Sequence, residues 1–234
     1  MTLAGSGPRI EADETIALVA TVKDQEMSPE QMSYAWTSSP VNGLFIGGGR
    51  QVEWRAPHGQ RTPDLYTLTV TVTKTVPDAE PRQRQVAASV QAHYNDSYRT
   101  IREKGERFLT RLFADYSVSP DQAVQDFSDS CPGKADERDN VADNRRLFQI
   151  LSGTFTVVSI SLNPEKTFGT MVGTCTFQDI RKAGNVWETV TGICTLTAVY
   201  ENWDWLLCDS TFKGGSTTTN AVRGSVPGRI ISSR

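Results

Sequence analysis

The hydrophobic period of this chain changes abruptly at Tyr94, and that change decides how many folding units it can form. In Leu65–Lys74 (LYTLTVTVTK) Leu68, Val70 and Val72 share one parity, while Thr67, Thr69, Thr71 and Thr73 share the other. This is the period-two pattern of a strand with one buried face. Immediately after Tyr94, Asn95-Asp96-Ser97 offers N-cap oxygens. Tyr98, Ile101, Gly105, Phe108, Leu109, Leu112 and Tyr116 then recur at intervals of three and four. That spacing predicts an amphipathic helix of about 20 residues, broken at Val118–Pro120. Two units joined by a short, stiff junction follow, and 234 residues suffice to bury a core in each. Asn95-Asp96-Ser97 is also a glycosylation sequon, but it reads as a helix cap.

Before the change, the strand-like runs are Thr15–Val22, Met32–Ser38, Gln51–Pro57, Leu65–Lys74 and Arg84–Tyr94. Short alternating runs separated by turn residues, with no helical period, predict an all-β sandwich. Trp36 and Trp54 are bulky enough to plug the space between two sheets. Gly47–Gly49 is followed by neither Lys-Ser/Thr nor a helical pattern, so it reads as a hairpin turn rather than a phosphate loop. The ordered pieces Tyr34-Ala35-Trp36, FIGGGR, Val52-Glu53-Trp54-Arg55-Ala56-Pro57 and Tyr66–Thr73 resemble the PKD-type immunoglobulin-like domain. The resemblance implies an immunoglobulin-like sandwich over residues 9–95, preceded by an extension at 1–8.

After the first helix, Ala123, Val124 and Phe127 predict a second helix over Pro120–Ser128. Cys131–Asn140 reads as a solvated loop, and Asn144–Ser152 as a short third helix. Four strands follow: TFTVVSISL, TFGTMVGTCTF, VWETVTGICTLTAVY and WDWLLCDSTF. Their hairpin-like connectors predict antiparallel pairing in sequence order. Helices followed by a meander make an α+β unit. Residues 214–234 read as a flexible tail, whose RIISS ending could add a strand to a neighbour's sheet edge. The helix-then-meander order, closing on Trp205, Leu207, Asp209 and Phe212, resembles the NTF2-like (SnoaL-like) fold over residues 96–213. That resemblance implies a cone, an architecture used both by enzymes and by binding modules.

The cysteines Cys131, Cys175, Cys194 and Cys208 all lie in the second half, whereas His58 and His93 lie in the first. Neither CxxC pairs nor adjacent histidines are present, so a zinc site has no support. Two disulfides, implying an oxidising compartment, and four free thiols both remain open. A turn at Ala183–Val186 would set Lys182 against Trp187 and Cys175 against Cys194, leaving Cys131 to reach Cys208.

A net charge of −3 gives no basic field for nucleic acid. No apolar run approaches the roughly 20 residues of a membrane span, and MTLAGSGPRI lacks the pattern of a secretory leader. The sequence has no G-x-S-x-G, H-E-x-x-H or P-loop, and the second half has no histidine. Of its strand acids, Glu188 begins a strand near a turn, Asp179 falls in a loop, and Asp209 lies well inside a strand. Asp209 with Tyr200 or Tyr116, beside Trp205, is the candidate ligand pocket. No catalytic, cofactor-binding or metal residue is assigned. The expectation is a non-enzymatic binding or assembly module, secreted, periplasmic or surface-exposed, with its leader absent from this chain. Its partner would be another protein or a second copy. The alternatives are an NTF2-like enzyme or carrier with a small hydrophobic ligand, and a virion structural or decoration protein.

Overall fold

The computed structural model describes residues 2–3, 8–23, 28, 31–76, 82–114, 119–184 and 186–221. They form two compact units, Met1–Ser97 and Tyr98–Arg234.

Unit 1 holds eight strands: β1 (Thr2–Leu3), β2 (Arg9–Glu11), β3 (Thr15–Thr21), β4 (Ser33–Ser39), β5 (Leu44–Gly48), β6 (Gln51–Arg55), β7 (Asp64–Val76) and β8 (Arg82–Asn95). They make two four-stranded sheets, in the orders β1-β3-β6-β5 and β2-β8-β7-β4. Leu18, Val52 and Trp54 from the first sheet share one core with Ile10, Tyr66, Leu68 and Ala92 from the second. The period-two pattern operates as written: Leu68, Val70 and Val72 are buried, and the intervening threonines are half-buried. Trp54 is fully buried, while Trp36 is only half-buried and donates from Nε1 to Gly49 O at 2.9 Å. Gly47 and Gly48 belong to strand β5, and the positive φ that favours glycine falls on Gly47, at +92°, and on Gly49, at +70°. Asn95 is fully buried, which suits a structural residue rather than a glycan acceptor. Glu11 Oε2 accepts from Ser97 N at 3.0 Å, and its Oε1 accepts from Ser97 Oγ at 2.7 Å. A carboxylate there satisfies a donor that the first helical turn leaves open.

Unit 2 consists of α1 (Ser97–Ala114, from its second residue), α2 (Pro120–Ala123), α3 (Gly133–Leu147), β9 (Phe148–Leu162), β10 (Phe168–Arg181), β11 (Val186–Glu201) and β12 (Asp204–Ala221). The strands form one antiparallel meander, β12-β11-β10-β9. Ile101, Phe108 and Leu109 of α1 pack with Val141 of α3 and with Met171, Leu196, Trp205 and Leu207 of the sheet. Tyr98 is exposed, so the buried face of α1 begins at Thr100 and Ile101. Lys104 lies beside this face, held by Asp204 Oδ2 at 2.6 Å.

Three sequence expectations are corrected. The helix after Pro120 stops at Ala123, and Phe127 instead bridges to Leu207. Cys131–Asn140 is mostly helix, since α3 starts at Gly133 and absorbs the residues expected to begin a separate third helix. Its buried residues Gly133, Glu137 and Val141 fall four apart, a stripe hidden in the sequence because it carries one apolar side chain. Finally, β12 continues through Ala221 into the segment read as a tail, because β11 offers backbone partners along its whole length, ending at Val186↔Ala221. Tyr116 and RIISS lie outside the described residues.

Candidate functional site

One bulge in β12 and the register of the β10–β11 hairpin decide which side chains reach the inside of the sheet. Asn202 and Trp203 form the turn between the paired residues Glu201 and Asp204, at φ +50° and +67°. Both central residues with positive φ make the turn that suits a two-residue hairpin. From there Trp205 and Leu207 point into the core. A register shift opposite Thr197/Ala198 then inserts one residue into β12, turning Asp209 outward and Ser210 inward. Asp209 is accordingly exposed, its Oδ1 accepting from Ser210 N. Tyr200 and Trp205 form a T-shaped pair with centroids 5.5 Å apart. Neither they nor Asp209 line the cavity described below, so the Asp209–Tyr200 pocket expected from sequence does not form.

The β10–β11 turn has the expected length but lies one residue earlier, between the paired residues Arg181 and Val186, and this moves the register by two. Ile180, not Lys182, faces Trp187, and Cys175 lies opposite Gly192. The two cysteines nevertheless bond, on the diagonal, with a Cα–Cα distance of 5.8 Å. Each faces a glycine, Cys175 opposite Gly192 and Cys194 opposite Gly173, so neither facing residue has a side chain that would crowd the bridge. Cys131 bonds Cys208, the residue at the β12 bulge, across a Cα–Cα distance of 5.2 Å.

Between α1, α3 and the sheet lies a cavity of about 290 Å³. Phe108, Phe148, Phe177 and Phe212 supply much of its wall, with Val190 and Leu196 behind them. Its titratable lining groups are Glu137 of α3 and Asp179 of β10. Asp179 is in a strand rather than a loop: it continues the inward parity of Cys175 and Phe177, and it is 8% exposed. Its Oδ1 is buried with no hydrogen-bond partner among the described residues. Glu188 lies directly opposite, near the start of β11, and is also buried. Burial first, and the Glu188 charge second, push the Asp179 carboxyl up to about 6, against the opposing pull of Arg181. The Arg181 guanidinium is itself engaged, 3.1 Å from Glu188 Oε1 and 5.5 Å from the Phe148 ring centroid. Glu137 is 8% exposed, and its Oε2 accepts from Ser210 Oγ at 2.7 Å. Burial raises its pKa, while the hydrogen bonds from Ser210 and Asn140 lower it.

This arrangement is an apolar, aromatic chamber with two carboxyl groups in its wall. It can hold a small molecule and present a hydrogen-bonding group whose protonation changes near neutrality. Sequence reasoning placed Asp179 in a loop and did not single out Glu137. Asp179 was findable by carrying the Cys175 parity through the strand end, and Glu137 only by reading a charge-rich segment as helix. Among the described residues no His, Cys, Asp and Glu cluster could hold a metal ion, and no helix is long and apolar enough to cross a membrane.

No protein-family model matches this chain, and no curated protein matches it. Solved structures do. A provisionally assigned scytalone dehydratase from Novosphingobium aromaticivorans aligns at 14% identity and TM-score 0.42, covering 54% of this chain and 89% of its own. A provisionally assigned aromatic ring hydroxylase from the same organism aligns at 10% identity and TM-score 0.40, covering 53% and 93%. An Ntf2-like protein involved in plasmid conjugation aligns at 9% and 0.29, covering 66% and 73%. At such identities and scores these neighbours assign neither an activity nor a ligand to this chain.

Proposed function

We propose that the chain is a non-enzymatic, extracytoplasmic binding protein whose α+β unit holds a small, mainly apolar molecule in the Phe-lined cavity. The observation that carries this reading is Asp179. A carboxyl oxygen buried without a partner costs the fold free energy, and the residue that carries it lines an aromatic chamber large enough for a ring system. The two disulfides and the absence of a membrane-spanning helix among the described residues are compatible with export. In this reading unit 1 is a PKD-type immunoglobulin-like sandwich that presents the ligand-binding unit to a protein partner or a second copy. Its two four-stranded sheets sharing a core support that assignment.

The test uses 2-naphthol, a neutral fluorescent bicycle. Saturable binding to the full chain that is lost in Val190→Trp, with circular dichroism unchanged, is the expected result. Equal binding by both proteins would remove the cavity from the account. A second reading, proton transfer by Asp179 on a bound substrate, draws on the same carboxyl titrating near 6. It requires a compound that the wild-type chain turns over and Asp179→Asn does not.

A further inference from the structure

We propose that the molecule held in the cavity is an organic cation, an aromatic or alicyclic body carrying a protonated amine that ion-pairs with Asp179. This rests on the cavity reading above and adds the chemical class of the ligand.

The first ground is charge. The lining carries two carboxyl groups and no basic side chain. The charges that act on Asp179 are Glu188 on β11 and Arg181 on its own strand, and Glu137 on α3 shares the cavity lining with it, two further acids against one base. Arg181 is turned to Glu188, and Lys182 Nζ donates instead to Arg145 O at 2.6 Å. The Asp179 charge is thus left without its own counter-ion in a low-dielectric setting, where a cation is worth most.

The second ground is the orphaned oxygen. Asp179 Oδ1 is an acceptor, buried and unmatched among the described residues, and an ammonium supplies both a donor and a charge. A bound ketone or carboxylate would bring another acceptor. The third ground is the wall, because aromatic faces attract cations, and four phenylalanines line the chamber. An anionic ligand would meet acids and ring faces, both repulsive to it.

A pH dependence follows with a definite sign. The amine binds the ionised carboxylate, so affinity rises as pH increases through the Asp179 transition near 6. At that pH, binding expels about half a proton from the protein.

The test is isothermal titration of the full, disulfide-bonded chain with three isosteres: 2-naphthylmethylamine, 2-naphthylmethanol and 2-naphthoate. Titrations at pH 6 in two buffers of different ionisation enthalpy measure the proton released. The amine should bind about ten-fold or more tightly than the alcohol, with proton release, and the carboxylate should not bind. In Asp179→Asn the preference for the amine and the proton release should both disappear. If the alcohol matches the amine in the wild-type chain, the cation class is overturned and the cavity reading stands. If the amine preference survives in Asp179→Asn, the role given to Asp179 is overturned. If none of the three binds, both this inference and the cavity reading fail.

Discussion

Replacing Asp179 by Asn should stabilise unit 2 at alkaline pH and do nothing at acid pH. The carboxyl is 8% exposed, and its pKa is raised from the ordinary 3.8 to about 6. At 1.36 kcal/mol per unit, this makes its ionisation about 3 kcal/mol more costly in the folded chain than in the unfolded one. The sign follows from the direction of the shift. The folded state binds the proton more tightly, so stability falls as pH rises from about 4 through 6 and stays reduced above it. Asparagine keeps the shape and removes the charge, along with the repulsion from Glu188. Urea unfolding of both proteins at pH 4 and pH 8, with hydrogen-exchange labelling of β10 and β11 peptides to assign the transition, gives the difference directly. The variant should gain up to about 3 kcal/mol over wild type at pH 8 relative to pH 4. A difference that does not change between the two pH values would refute the idea that Asp179 is buried without a counter-charge.

Three further outcomes follow from the geometry. Loop-closure entropy puts the loss of Cys131–Cys208, separated by 77 residues, at about 4.5 kcal/mol, and that of Cys175–Cys194, separated by 19, at about 3; denaturant midpoints of the two double Ala variants should fall in that order, and the reverse order would show that native packing dominates. Gly173→Ala puts a methyl 2.3 Å from Thr156 O and 2.6 Å from the Phe155 ring. Its cost should be about 1–3 kcal/mol by thermal unfolding, and a neutral result would mean that the β9–β10 pairing is looser than described. Trp203, at φ +67° and 47% exposed, occupies a turn position that glycine fits without strain. Trp203→Gly should gain about 0.5–1 kcal/mol after glycine's entropy is subtracted, and a loss of stability would show that contacts of the indole hold the hairpin tip.

What the sequence disclosed, and what it concealed, divides along one physical line. Period-two runs declared themselves wherever one face was apolar throughout, as in Leu68, Val70 and Val72, and so did the helix carrying Ile101, Phe108 and Leu109. The meander order of β9 to β12 was legible from its short connectors. The site was not, because each of its parts depends on an event that periodicity averages away. One inserted residue in β12 exchanges Asp209 for Ser210 on the inner face. A one-residue displacement of the β10–β11 turn shifts the register by two, which leaves the disulfide in place but moves its partners from opposed to diagonal. Helix α3 buries Glu137 beside a glycine and a single valine, a stripe with almost no hydrophobic signal. The cysteine pairing was reached for a partly wrong reason: the assumed register opposed the two residues, whereas the glycines facing them make room for a diagonal bond.

The most direct test of the cavity as the functional site is to locate a bound probe. Adding 2-naphthylmethylamine to the isotope-labelled full chain at neutral pH should move backbone resonances of Leu109, Glu137, Asp179, Val190, Leu196 and Phe212, which come from α1, α3 and three strands and meet only at the chamber wall. Perturbations confined to unit 1, or to the outward threonines of β10 and β11, would contradict the assignment of ligand binding to this cavity.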